Sequence, residues 1–258
     1  MANRETEQTR QDGAKRRSPG FVAEFLVIVI GVLAALGVDA FVDWLEDREL
    51  EEEYVERLLA DVEYDLAEIS FAASLAEAAI VQLDTLADEE RLAAVDDDEL
   101  LSIAYVAGHS REIDRSRSTF DEMIYSGRLR VIRSRNLRAA LAEYDRIDIE
   151  FDGYFDAVDR RFWEWTQASI PFDMAGPLRK QCGEVSPQAP YGEVTTACAI
   201  ETPPELASYF RNHFESAAGR QMVTYQRYRA ENTLIIAELY RQAAASLKSV
   251  LEDELAAL

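Results

Sequence analysis

The chain is poor in the residues that most active-site chemistry needs. It has two histidines, His109 and His213, and two cysteines, Cys182 and Cys198. Neither histidine stands in a His-Glu-x-x-His pair or accompanies a nucleophile elbow, so the common zinc-hydrolase and serine-hydrolase arrangements are not indicated. The cysteines do not form a Cys-x-x-Cys pair, which removes the usual dithiol redox motif. With no cofactor fingerprint and no metal-ligand cluster, neither a cofactor nor a metal is expected, and no residue is read as catalytic. Helix breakers are scarce too: 11 Gly and 7 Pro, with most of the prolines in one stretch, leave long intervals that favour helix. Basic residues are outnumbered, 27 Lys and Arg against 49 Asp and Glu, for a formal charge of -22. Such a surface repels phosphate backbones, so nucleic acid is not an expected partner.

What the chain does have is one long apolar run near its start. The uninterrupted part, Phe25–Val38, is short for a bilayer, which needs roughly 20 residues. With Glu24 and Asp39 as membrane-edge carboxylates, the predicted transmembrane helix covers Phe21–Val42, and Trp44 falls at the far interface. Lys15, Arg16 and Arg17 precede the run, and a strongly acidic stretch follows it. The positive-inside rule then makes residues 1–20 a basic cytoplasmic tail and places residues 43–258 in the periplasm or outside the cell. A cleaved signal peptide is the competing reading, with Val38 and Ala40 as small residues at a cleavage site. The length of the apolar run and the helical pattern beyond it favour a retained anchor. Gly31 and Ala35 have the spacing of a transmembrane helix contact, although Gly and Ala are common in membrane helices generally. Outside the cytoplasm, a Cys182–Cys198 disulfide is the expected use of the two thiols, against the alternative of two unrelated buried cysteines.

The outer domain reads as all-α, a transmembrane helix continuing into a long helix that packs with others as a bundle. From Asp43 to Ala87 there is no Gly or Pro, and Leu45, Val55, Leu59, Val62, Leu66, Ile69, Ala73, Ala76, Ile80, Leu83 and Ala87 approach a heptad seam. Asp96–Glu99 suits the positive N-terminus of a helix over Leu100–His109 and lacks the glycine and ligand spacing of a calcium loop. Thr119 with Glu122 suggests a capping box for a helix over Phe120–Ser126, with Gly127 as its C-cap. Ser134 is the candidate N-cap of a helix reaching about Ser169, with an inward stripe including Leu137, Leu141, Tyr144, Phe162 and Trp165. Residues 171–204, rich in Pro and Gly, read as an irregular loop holding both cysteines, with at most a brief strand near Val194. Pro203 and Pro204 open a helix to Glu215, Gly219 marks a break, and a last helix turns Tyr225, Tyr228, Ile235, Leu239, Leu247 and Val250 inward.

Two stretches carry a family resemblance. One is Glu24–Asp39 followed by Trp44, Glu46 and Arg48. The other is Ser118–Ile132 followed by Asn136, Leu137, Arg138, Leu141 and Tyr144. In this order they resemble an uncharacterised family of bacterial single-pass membrane proteins, a domain-of-unknown-function family. The resemblance covers roughly the first 150 residues and more loosely the last helix. Asp39 departs from it, where Asn is more usual, as does the acidic run after the membrane. It implies a retained helix in the bacterial inner membrane and supplies no activity.

The sharpest local feature is a group of five arginines, Arg128, Arg130, Arg133, Arg135 and Arg138, with no acid between them. Pairing with the acidic first helix, at Glu51, Glu52, Glu53 and Glu56, is the structural explanation. An anion site for a lipid headgroup, a phosphate or a carboxylate ligand is the functional one. For the whole chain the expectation is a membrane-anchored interaction or scaffold module. Its partner would be a second copy of the chain or a second membrane protein. The alternative is a ligand-sensing bundle, in which residues 171–204 shape a pocket and another membrane protein carries the signal.

Overall fold

Helix ends in this chain are set by local chemistry that the sequence displays. The Asp88 side chain accepts from the Glu90 and Arg91 N–H groups, and Ser134 accepts from Leu137 N–H at 3.3 Å. The computed structural model describes residues 19–109, 113, 115–151, 161–182 and 198–258, without the side chains of 19–22 and 148–151. Among the described residues the chain is all-α: α1 (Pro19–Ala87), α2 (Glu89–Ala94), α3 (Asp97–Ala107), α4 (Ser118–Tyr125), a 3-10 turn (Arg128–Val131), α5 (Arg135–Phe151), α6 (Arg161–Ser169), α7 (Phe172–Gln181), α8 (Pro204–Glu215) and α9 (Ala217–Ala257). The chain divides into two units, Met1–Leu50 and Glu51–Leu258.

In the first unit, α1 is long and apolar enough to cross a membrane, and none of its most apolar window is buried. Phe25, Leu26, Ile28, Leu33 and Leu36 are all exposed. A helix satisfies its backbone groups internally, which is what a segment surrounded by hydrocarbon requires. Glu24, Gly31, Ala35 and Asp39 lie on this exposed stretch, and a Cβ added to Gly31 would meet nothing within 4 Å.

In the second unit, the buried face of α1 repeats as a heptad: Glu51, Val55, Leu58, Val62, Asp65, Ile69, Ala72, Ala76, Ala79, Leu83 and Leu86. Of the expected seam, Val55, Val62, Ile69, Ala76 and Leu83 are buried, whereas the alternate positions Leu59, Leu66, Ala73, Ile80 and Ala87 lie one residue too late. Those residues are only half-buried, and Ala87 is exposed. Counting apolar residues alone favoured the wrong edge, because two true seam positions are acids. Along the other helices, α9 packs on α5, α6 and α8, while α3 packs on α6 and α8. Leu83, Leu100, Leu101, Phe210, Phe214 and Val223 fill the core between them.

Several local expectations need correction. The Thr119–Glu122 capping box does not form: Thr119 lies inside α4, whose N-cap is Arg117, and Glu122 turns to α1 instead. Gly127 does follow the helix in the left-handed region, with φ 69°. Residues 171–204 are not irregular throughout, because Phe172–Gln181 is helical despite Pro177. Met174, Leu178 and Cys182 recur every four residues on its buried face, and that burial outweighs the missing backbone bond. The strand considered near Val194 falls outside the described residues, as do residues 152–160 of the helix expected to reach Ser169. The break assigned to Gly219 is at Ser216, whose hydroxyl accepts from Gly219 N–H at 3.0 Å. Finally, Tyr225, Tyr228, Ile235 and Leu239 are exposed; the buried face of α9 includes Val223, Ala230, Ile236, Tyr240, Leu247 and Leu251.

Candidate functional site

Two charged residues occupy places where the heptad of α1 calls for apolar ones. Glu51 and Asp65 take the same heptad position two repeats apart, and both are buried. A buried carboxylate without partners costs on the order of several kcal/mol, so each must be compensated from another element. At Glu51, Oε1 accepts the Arg133 main-chain N–H at 2.6 Å, and Oε2 lies 3.7 Å from Arg133 Nε. At Asp65, Oδ1 accepts Ser116 N–H at 2.6 Å and Oδ2 accepts the Tyr144 hydroxyl at 2.8 Å. Arg115 Nε stands 3.6 Å from Asp65 Oδ2.

The surroundings extend this pair into a network. Asp61 accepts from Ser116 Oγ at 2.7 Å and from Thr119 N–H at 3.2 Å, which fixes the entry to α4. Arg117 reaches Asp145 at 2.7 Å and Asp121 at 3.2 Å. The Arg115 guanidinium lies 3.7 Å above the Tyr144 ring and donates to the Tyr144 carbonyl at 3.1 Å. Burial pushes the Asp65 carboxyl up, against the opposing pull of Ser116, Tyr144 and Arg115. Burial, with the neighbouring Asp65 charge, also raises the Tyr144 phenol. The recess between these groups holds about 20 Å³, room for about one water. Chemically, this is a set of closely paired charges that ties residues 115–119 and α5 to α1.

The arginine group is divided by the fold. Arg128 donates to the Tyr54 hydroxyl at 3.1 Å and approaches Glu122 at 3.8 Å, and Arg133 meets Glu51 as described. Glu122 also takes Arg57 at 2.5 Å and the Tyr54 hydroxyl at 2.9 Å. These bonds, the Arg57 one first, hold the Glu122 carboxyl below the ordinary carboxylate range. Of the expected acidic partners, Glu51 is used. Arg130, Arg135 and Arg138 are exposed and have no ion-pair partner among the described residues.

Cys182 and Cys198 are joined, their Cα atoms 5.4 Å apart. Cys198 begins a segment that runs along α3: its carbonyl accepts Ser102 Oγ at 2.5 Å, and the Ile200 and Thr202 N–H groups bond Asp98 at 2.9 and 2.8 Å. The acidic start of α3 is thus a docking edge for this segment and for Arg211, which reaches Asp97 at 3.0 Å. Among the described residues no group of three or more His, Cys, Asp or Glu could hold a metal ion. His109 Nδ1 bonds the Tyr105 carbonyl at 2.7 Å, and His213 stacks on Trp165 at 3.8 Å. Burial lowers the pKa of both histidines.

The Asp65–Tyr144–Arg115 network was not found from the sequence. The available signal was an acid on the strict heptad of α1, between Val62 and Ile69. Comparison with protein-family models, with curated proteins and with solved structures found no match. The resemblance at Glu24–Asp39 and Ser118–Ile132 therefore assigns no role to any residue.

Proposed function

We propose that this chain is a single-pass protein of the bacterial inner membrane whose periplasmic helical domain is an interaction or scaffold module. Anchoring is supported by the unburied apolar stretch of α1, by the basic residues before it and by the acidic ones after it. The Cys182–Cys198 disulfide suits an oxidising compartment on the far side.

The observation that carries the interaction reading is on α9. Tyr225, Tyr228, Ile235 and Leu239 keep heptad spacing on an exposed face, with Tyr228 61% and Ile235 60% exposed. A row of large apolar side chains at that spacing matches another helix better than it matches water. A second copy of the chain or a second membrane protein would supply that helix. Gly31 and Ala35 would let the membrane segments of two such chains approach closely. The recess beside Asp65 has room for about one water, and residues 183–197 of the stretch that would shape a ligand pocket lie outside the described residues.

The test is in-membrane crosslinking of tagged full-length protein, with mass spectrometry of what is captured. A discrete adduct that disappears in Tyr228→Glu and Ile235→Glu variants is expected. A chain that stays monomeric and captures nothing would reject the interaction reading. Protease access to a C-terminal tag in spheroplasts checks the orientation separately.

A further inference from the structure

Arg130, Arg135 and Arg138 do not serve the fold as their neighbours do. Arg128 and Arg133 fasten the 3-10 turn to Tyr54 and Glu51 of α1, whereas these three project into solvent without ion pairs among the described residues. Helix stability does not explain them. Arg135 and Arg138 begin α5, whose first turn holds no acid, and cations at a helix N-terminus oppose the helix dipole. In a chain of net charge -22, three exposed arginines without ion pairs among the described residues are against the general trend.

Exposed apolar groups precede these arginines in the chain, on α4, which packs on the 3-10 turn that carries Arg130. Ile124 and Tyr125 end α4, and Tyr125 is 87% exposed, second only to Phe172 among the described large apolar residues. Ser126 and Gly127 then turn the chain into the arginine-bearing 3-10 segment. Arginine beside tyrosine and isoleucine is the composition of a surface that meets lipid headgroups. The guanidinium forks phosphate, the phenol sits at headgroup level, and the aliphatic chain dips below it.

The arginines that flank Arg130 in sequence, Arg128 and Arg133, bond Tyr54 and Glu51, and Glu51 follows Val42 by nine positions of sequence.

We infer that Arg130, Arg135 and Arg138, with Ile124 and Tyr125, form a docking site for anionic phospholipid headgroups of the leaflet facing the outer domain. The inference rests on the anchored reading above. It adds a contact that holds the domain against the membrane and offsets the repulsion between its acidic residues and an anionic surface. Each arginine near such a surface favours the docked arrangement by about fivefold, an effect that fades with added salt.

The experiment uses the full chain carrying Ser126→Cys in nanodiscs. The two native cysteines are joined to each other, so a nitroxide goes to position 126. Nanodiscs of phosphatidylcholine alone are compared with nanodiscs that also contain phosphatidylglycerol, and label access to a water-soluble nickel chelate is read. At least fivefold protection is expected with phosphatidylglycerol. Arg130→Gln/Arg135→Gln/Arg138→Gln should abolish it, and the corresponding Lys triple should retain most of it. Equal access in the two lipids, or protection that survives the Gln triple, overturns the inference. Protection reproduced by inorganic phosphate in phosphatidylcholine discs also overturns it, since a free-anion site would then be present. Co-elution with the discs reports anchoring on its own, and a chain not retained by them sinks both readings. An unchanged melting temperature of the Gln triple shows that the fold is intact.

Discussion

The Tyr144 hydroxyl donates to the Asp65 carboxylate at 2.8 Å across 79 positions of sequence, and Asp65 has no exposure to solvent. The bond ties α5 to the buried face of α1. Asp65 and Arg115 form a buried charge pair, so losing one partner should cost far more than losing both. Asp65→Leu is expected to destabilise the domain by about 3–5 kcal/mol, because Ser116 N–H, the Tyr144 hydroxyl and the Arg115 charge all lose their buried acceptor. Asp65→Leu with Arg115→Met should cost clearly less than the sum of the two single changes, as read from urea unfolding in a double-mutant cycle. Tyr144→Phe removes a bond to a charged acceptor and should cost about 1.5–3 kcal/mol.

Gly219 is the tightest backbone approach among the described glycines. A Cβ there would lie 2.0 Å from the His213 carbonyl oxygen, so α8 and α9 would have to move apart. Gly219→Ala is expected to destabilise by about 2–3 kcal/mol, toward the upper end of overpacking costs. Gly31→Ala meets open space and should leave the domain's unfolding unchanged. Thermal melting of the two variants side by side decides the matter.

Removal of the disulfide has a calculable effect. Cys182 and Cys198 are separated by 16 positions, and closing such a loop stabilises by about 3 kcal/mol in the chain-entropy description. At about 2–4 °C per kcal/mol for a domain of this size, reductant should lower the melting temperature by about 6–12 °C. Cys182→Ser/Cys198→Ser should melt at the reduced temperature and be insensitive to reductant. A melting point unchanged by either treatment would count against a structural disulfide.

Stability should depend on pH through the two histidines. Burial holds both below the ordinary 6.5, so as pH falls the unfolded chain takes up protons first. Their contribution is complete above about pH 6.5 and declines below it, by at most about 1.4 kcal/mol per pH unit for each histidine. His213, partly exposed, should supply the smaller share. Asp65 acts with the opposite sign: its raised carboxyl gains stability as pH falls through the raised value toward the ordinary 3.8. Urea midpoints between pH 8 and pH 5 should therefore fall in the wild type and stay flatter in His109→Asn/His213→Asn.

What the sequence determined by itself was whatever depends on near neighbours. The apolar stretch around Phe25–Val38, the all-α class, the Pro204 start and Glu215 end of α8, the Ser134 cap and the turn at Gly127 are all encoded within a few residues. Helix formation and capping are short-range, so local composition suffices to place them. The tertiary structure decided which face of each helix is buried. On α1 the seam runs through Glu51 and Asp65, which no count of apolar residues would choose, and on α9 it avoids Tyr228 and Ile235. It likewise divided the five arginines into two that bind α1 and three that make no ion pair among the described residues. The physical reason is the same in each case. A carboxylate can be buried only where cations and donors arrive to compensate it, and Arg115, Ser116, Arg133 and Tyr144 arrive from positions some 50 to 80 residues away.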